Sequence, residues 1–260
     1  MRLNKHWWSL LPDLVRREIR SRLVNATSGW LWLVVTPLLL LAVYGFVFGV
    51  IFQARVPEGL EMPFVAWLAV ALWPWLAFSE GVLRGSQAIL QHASLISKVA
   101  IPRQLLVVSA QSAVFLLHLI GYMVVLVALQ LLGIDISWQG LPLALLVLAT
   151  FYGFGLGLGL GLAALQVYLR DLEQILPTFM MFWFFMTPIL YAPELLTDTL
   201  AAVLVFNPAT WWIEEVRATL LHGKWLPDGM LLVLALAAAA SVWLGSLLFA
   251  RLSPCFEDFL

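Results

Sequence analysis

Long stretches without a single Asp, Glu, Lys or Arg dominate this sequence: residues 30–52, 62–79, 104–134, 136–169, 175–192 and 230–250. A helix needs roughly 20 apolar residues to cross about 30 Å of hydrocarbon. The first run has 23 residues and would extend about 34 Å at about 1.5 Å per residue. The third and fourth runs exceed what a bilayer needs, so their ends are expected to tilt or project. Overall, 63% of residues are hydrophobic and 11% charged, against about 25% charged in soluble domains. Such a chain cannot cover a surface facing water, and its natural solvent is lipid.

The net charge is −1 and no basic stripe is present, so nothing points to nucleic acid. Cys255 is the only cysteine, which leaves no disulfide framework and no cysteine-based metal site. No metal site is expected. Residues 1–29 are polar or amphipathic, and the apolar run after them is too long for a signal-peptide core and lacks a small-residue cleavage site. The run is expected to remain as a first transmembrane helix.

The cations set the orientation. Arg2, Lys5, Arg16, Arg17, Arg20, Arg22, Arg84, Lys98, Arg103, Arg170 and Arg251 fall on alternate connections, eleven of the fourteen Lys and Arg residues. Arg55, Arg217 and Lys224 fall on the other side. The positive-inside rule then places both termini in the cytoplasm, in keeping with an even number of spans. Trp30, Trp32, Trp138 and Trp225 stand near span boundaries, where interfacial anchoring explains them. The expected fold is an all-α integral membrane protein. Residues 1–29 form a cytoplasmic segment with an interfacial helix, 30–250 a domain of six transmembrane helices, and 251–260 a cytoplasmic tail.

Three segments are expected not to cross. Before the first span, Leu10, Leu11, Leu14, Val15, Ile19 and Leu23 share one helical face, with Arg16, Arg17 and Arg20 opposite. Pro12 suits a first helical turn. Glu18 and Arg22 fall on the apolar side, spaced to pair at i,i+4. This predicts an interfacial helix, serving as a plain anchor or as a mechanical part. Between spans two and three, Ile89, Ala93, Ile96 and Ala100 keep helical spacing among Gln87, Gln91, His92, Ser94 and Lys98, and Pro102 ends any helix. This segment reads as a short helix docking on a cytoplasmic partner or as a solvated loop with a helical turn; pattern alone leans to the loop.

The third segment, 193–229, faces outward. The apolar stretch 200–206 is too short to span, and Asn207-Pro208 then supplies an N-cap and a proline at the first helical position. A helix over 209–222 follows, carrying Trp211, Trp212, Glu214, Glu215 and Arg217, with Gly223 placed to end it. The pattern suggests a re-entrant helical hairpin lining an outer mouth, the alternative being an ordinary external loop.

No catalytic constellation emerges. His118 is the single histidine within a predicted span, near Gln111 and Ser112. No predicted span contains Asp or Glu, so a neutral histidine bonded to a neighbouring helix is expected, and a proton- or sodium-coupled carrier is disfavoured. No phosphate-binding loop is present: Gly223-Lys224 runs into Trp225. The chain is not expected to bind ATP itself. Gly153, Gly157 and Gly161 stack on one face of span four, and Gly155 and Gly159 on a nearly opposite one, predicting a helix tightly packed on two sides. Aromatic residues cluster at Tyr44, Phe46 and Phe48, at Trp73 and Trp75, and at 182–185. Such rings more often face lipid or protein, but pore-facing ones could stack on sugar rings.

Four places carry a resemblance that covers almost the whole chain. They are Leu31-Trp32 with Thr36-Pro37 and 44–48; 94–98 with Pro102-Arg103; 168–176 running on to 187–191; and 206–208 with Ile213-Glu214 and Arg217. In this order they resemble the permease subunits of type-2 ATP-binding-cassette exporters, in the O-antigen and teichoic-acid polysaccharide branch. The sequence departs from the branch near Ser94, where Asn is common, and at Ile101, where Phe often precedes the proline.

The resemblance implies a homodimer in the bacterial inner membrane, in contact with membrane lipids and joined to two cytoplasmic ATP-binding subunits that hold ATP and Mg. It implies no cofactor in this chain. The ATPase contact would comprise Arg16, Arg17 and Arg20, then Gln87, Gln91, His92, Lys98 and Arg103, with Arg170 and Asp171 nearby. A periplasmic gate would involve Asn207, Pro208, Trp211, Trp212, Glu214 and Arg217. Channel aromatics would include Tyr44, Phe48, Trp73, Trp75, Phe182 and Phe185, passing a lipid-linked polysaccharide. The other readings are a drug or lipid exporter of the same superfamily, and an intramembrane transferase using His118 or Glu214.

Overall fold

A computed structural model describes residues 9–24, 29–54, 56, 62–96, 101–193 and 196–258. Arg2, Lys5, Arg55, Lys98 and Ala100 lie outside the described residues, as do the side chains of Leu23, Trp30 and Trp32. Every regular element among the described residues is helical. In chain order they are α1 (Leu11–Val24), α2 (Gly29–Tyr44), α3 (Phe64–Gln91), α4 (Ala93–Ile96), α5 (Gln104–Leu131), α6 (Leu141–Gln166), α7 (Leu172–Met186), α8 (Asp198–Val205), α9 (Pro208–Leu220) and α10 (Gly229–Leu252). A π-helical stretch, Gly45–Ile51, prolongs α2, and a 3-10 segment, Ser253–Asp258, follows α10.

Among the described residues, four helical stretches are long and apolar enough to cross a membrane: Phe64–Gln91, Gln104–Leu131, Leu141–Gln166 and Gly229–Phe256. Helix α3 is the centre of the bundle. Trp67, Leu68, Leu72 and Trp73 on it are buried, with α5 and α6 packed against its sides. The second span was expected to stop at Ser79, with Arg84 opening a separate segment. Instead α3 continues to Gln91 without a break, and only α4 stands apart. The continuation is stable because Gly81, Val82, Gly85, Ser86, Ala88 and Ile89 form a buried face. Arg84, Gln87 and Gln91, which read as part of a loop, occupy the less buried side of the same helix.

The glycines of α6 pack on two sides, as their spacing predicts. A β-carbon on Gly157 would sit 2.1 Å from the Ser241 carbonyl carbon of α10, and one on Gly245 would sit 2.0 Å from the Gly157 oxygen. On the other side, a β-carbon on Gly159 would come within 2.7 Å of the Gln111 Oε1 of α5, and one on Gly155 within 3.1 Å of Phe78 of α3. Helix α6 is thereby wedged between α10 and the α3–α5 pair.

Span five differs from expectation. A helix to Ala192 was anticipated, but α7 ends at Met186. Pro188 is the cause: a residue before proline is pushed out of the helical region, and Thr187 is extended at φ −99°, ψ 138°. The 15 residues of α7 rise only about 22 Å, short of about 30 Å of hydrocarbon. Thr187, Ile189, Leu190 and Ala192 then run without helix yet buried. Such backbone survives at membrane depth only when protein satisfies its polar groups.

Helix α1 buries Leu14 and exposes Arg16, Arg17 and Arg20, as the wheel predicts. The anticipated Glu18–Arg22 pair does not form. Glu18 reaches His92 at 3.1 Å and Arg22 reaches Glu80 at 2.9 Å, both outside α1. A partner of opposite charge on a packed neighbour outcompetes a weak pair along a helix surface.

Candidate functional site

The segment α8–α9 is built around two side chains that satisfy the non-helical backbone after α7. Asn207 caps α9 by accepting from the Ala209 amide at 3.1 Å, and the same oxygen accepts from Trp183 Nε1 at 2.7 Å. Its amide nitrogen donates to the Met186 carbonyl and the Thr187 hydroxyl, each at 3.0 Å. One side chain thus closes the C-terminus of α7 and the N-terminus of α9, where helices leave backbone groups unpaired.

Arg217, one face further along α9, is 2% exposed. Its guanidinium donates to the Pro188 carbonyl at 2.6 Å, the Ile189 carbonyl at 3.1 Å and Glu214 at 2.7 Å. It also lies 3.5 Å from the centre of the Trp67 ring. A planar cation with several fixed donors suits this combination of stacking and forked hydrogen bonding. The arginine supplies partners for two buried backbone carbonyls that no helix pairs.

Trp212 is fully buried, stacked at 5.2 Å on Phe151 and 4.7 Å on Phe154, and donates to Thr150 Oγ1 at 2.8 Å. Trp211 donates to the Val205 carbonyl at 3.1 Å, tying α8 to α9. Beyond α9, Lys224 bonds Glu215 at 2.6 Å and Asp228 at 2.8 Å. Burial alone would lower the Lys224 pKa, but the hydrogen bonds to Asp228 and Glu215 outweigh it and raise the value. The six expected gate residues therefore gather on α9 and its cap. Asn207, Trp212 and Arg217 spend their polar groups inward, while Glu214 remains partly exposed beside Arg217.

A second polar cluster is organised by a carboxylate that lies one residue past the expected end of span two. Glu80 accepts from Arg22 of α1 at 2.9 Å and from His118 of α5 at 2.8 Å. The expectation that His118 meets no acidic partner is therefore corrected: α3 runs through Ser79 and delivers one. The signal was present in the sequence as an acid flanking an apolar run, but the run was cut at that acid. Close by, His92 pairs with Glu18 and holds its other ring nitrogen 2.9 Å from the Ala88 carbonyl. The hydrogen bond to Glu18 raises the His92 pKa despite burial, and His92 in turn holds Glu18 below its ordinary value.

Of the residues expected at an ATPase contact, Arg16, Arg17, Arg20, Gln91, Arg170 and Asp171 are exposed. Gln87 is half-buried and accepts from Gln91 at 3.0 Å. Arg103 turns toward the 3-10 segment, donating to the Ser253 carbonyl and stacking 5.7 Å over Phe256. His92 is engaged with Glu18.

The aromatic residues divide sharply. Trp73 and Trp75 are 1% and 3% exposed, inside the protomer's own core. Tyr44 stacks on Phe184 at 5.5 Å, and Phe48 packs on Phe52 at 5.7 Å. Phe182 and Phe185 are exposed, together with Phe46, Phe52 and Phe179. The exposed rings belong to the α2 continuation and α7, and sequence alone did not separate them from the buried pair.

This arrangement of apolar helices coincides with a family match over residues 12–221, to the ABC-2 type transporter. The chain belongs to the ABC-2 type transporter family. The matched region reaches from α1 to the end of α9, so the Glu80 contacts and the α8–α9 segment both fall within it. The transporter is 31% identical over 249 residues to the O-antigen export system permease protein RfbA of Myxococcus xanthus, covering 92% of this chain and 91% of the relative. It is 26% identical over 221 residues to a protein of the same name from Klebsiella pneumoniae, covering 83% and 82%.

Proposed function

We propose that this chain is the channel-forming permease subunit of an ATP-driven exporter of lipid-linked, O-antigen-like polysaccharide in a bacterial inner membrane. The similarity along nearly its whole length to a permease named for O-antigen export carries the reading. Two copies would form the channel and two separate ATP-binding subunits would drive it. Helix α2 with its π-helical continuation and α7 would supply the spans beyond the four long ones, giving six with both termini cytoplasmic.

In this reading, Arg16, Arg17 and Arg20 of α1, the α3–α4 turn with Gln91, and Arg170-Asp171 meet the ATP-binding subunits. Lys98 would join them. The exposed rings of Phe182 and Phe185, together with Tyr44 and Phe48, would offer a sliding surface for sugar rings. Stacking tolerates changes of register, as a moving polymer requires. Helix α9, held to the end of α7 by Asn207 and Arg217, would be the outer gate. ATP binding would draw the motor subunits together, α1 and α4 would pass the movement to α3 and α5, and the seam between permeases would open.

The transferase reading gains a carboxylate–imidazole pair in Glu80 and His118, but the other Glu80 oxygen is committed to Arg22. The pair is a structural tie on this geometry. Deleting the gene and examining the cell surface tests the proposal. Loss of long-chain surface polysaccharide, with lipid-linked polymer accumulating in the cytoplasm, is expected. Unchanged surface polymer contradicts it.

A further inference from the structure

The geometry points to Glu80 as a positioning residue: its carboxylate fastens α1 to the spanning helices and, with a second tie, fixes the pitch at which α1 lies. The inference rests on the reading of α1 as a contact for the ATP-binding subunit.

Three helices meet at this one side chain. Glu80 Oε1 takes Arg22 of α1, 58 residues away, and Oε2 takes His118 of α5, 38 residues away. Side chains this distant in sequence converge only if α1 has a defined seat. An ionisable group in a membrane-spanning helix is costly unless paired, and the attraction between paired charges grows as water is excluded. The carboxylate therefore favours the one placement of α1 that pairs it.

The second tie, Glu18 to His92, makes the seat directional. On α1 the two anchors, Glu18 and Arg22, are four residues apart, or about 6 Å. On the α3 side, Glu80 and His92 are twelve residues apart, or about 18 Å along a helix. Two struts that diverge in this way fix an angle as well as a distance. Their polarity is also opposed: an acid of α1 meets a base at one end, and a base of α1 meets an acid at the other. Sliding α1 so that Glu18 takes the place of Arg22 would set two carboxylates together. Register and tilt are both specified.

The opposite face of α1 exposes Arg16, Arg17 and Arg20. Helix α1 is therefore pinned on one side and presented on the other. A push received on the arginines passes through Glu80 directly to α3 and α5. Without the tie, α1 would rock in the interface and the push would be absorbed there.

The test uses the full-length permease with its ATP-binding subunits in lipid nanodiscs and proteoliposomes, comparing Glu80→Gln, Glu80→Asp and Arg22→Gln. Backbone hydrogen exchange across 11–24 reads the fastening, and polysaccharide exported per ATP hydrolysed reads the positioning. Losing a charge-assisted hydrogen bond corresponds to roughly tenfold faster exchange in α1. Glu80→Gln and Arg22→Gln should both show this with exchange in α6 and α10 unchanged, ATP hydrolysis retained, and export per ATP reduced about tenfold. Glu80→Asp, which keeps the charge, should recover part of both. Should Glu80→Gln fail to fold, Arg22→Gln carries the same test from the α1 side.

Unchanged exchange across 11–24 in the folded variants overturns the inference. So does raised exchange with export per ATP undiminished. Failure of the wild-type chain to engage any ATP-binding subunit would count against the proposed function instead, and the exchange measurement would still decide whether Glu80 fastens α1.

Discussion

The guanidinium carbon of Arg217 sits over Trp67, 3.5 Å from the ring centre, while its nitrogens hold the Pro188 and Ile189 carbonyls. One buried cation thus joins α9 to α3 and to the non-helical segment after α7. Removing one partner of a buried charged network costs about 3–5 kcal/mol. Arg217→Ala should therefore lower thermal stability in detergent severely. Arg217→Lys should rescue little, because an ammonium cannot stack and fork at once. Wild-type-like melting of Arg217→Lys would contradict the geometry.

Asn207 permits a graded test. Asn207→Ala loses the cap of α9, about 1 kcal/mol, and the bonds to Trp183 and Thr187, about 0.5–1.5 kcal/mol each. Asn207→Asp keeps the cap but loses the donor, so it should melt between wild type and Asn207→Ala. Wild-type-like melting of Asn207→Asp would show that the link to α7 carries no weight.

Two glycines of α6 should behave differently. A β-carbon at Gly157 would sit 2.1 Å from the Ser241 backbone, whereas one at Gly153 would sit 3.3 Å from the Ala238 side chain. Gly157→Ala must push α10 away and should abolish stable expression or cost about 3 kcal/mol or more. Gly153→Ala should lie within about 1 kcal/mol of wild type. Fluorescence-detected size exclusion after a temperature ramp distinguishes them, and a reversed ranking would contradict the α6–α10 contact.

The Glu18–His92 pair makes a signed pH prediction. His92 has a pKa raised above 6.5, so its contribution is full below 6.5 and fades as pH rises through the raised value. Glu18 has a pKa lowered below 4.5, so its contribution is present above 4.5 and fades as pH falls through the lowered value. The pair is strongest between those limits. Thermal stability should therefore fall in the wild type from about pH 6 to about pH 8 by more than it falls in His92→Gln. Parallel pH profiles would show that the pair does not form in solution.

Much of this was legible in the sequence. The charge-free runs foretold apolar helices, the alternate glycines of α6 foretold its two packed sides, and Asn207-Pro208 foretold the start of α9. Each signal is local, set by spacing or by the backbone chemistry of a few residues. The errors arose where a local rule met a distant partner. Glu80 ended a run by the charge criterion, although α3 continues because Arg22 and His118 satisfy that charge. Glu18 and Arg22 had the spacing to pair with each other, yet each found a partner beyond α1. The early end of α7 was readable at Pro188, but an apolar run outweighed it. Nothing local distinguishes buried Trp73 and Trp75 from exposed Phe182 and Phe185, since only packing separates them.

The central claim is that this chain conducts polysaccharide outward and takes its energy from a separate subunit. Reconstituting the purified permease with and without its ATP-binding subunit, and following translocation of lipid-linked polysaccharide, addresses it most directly. Translocation that needs both proteins and hydrolysable ATP is the predicted result. Translocation by the permease alone without nucleotide, or none when both proteins and ATP are present, would contradict the account.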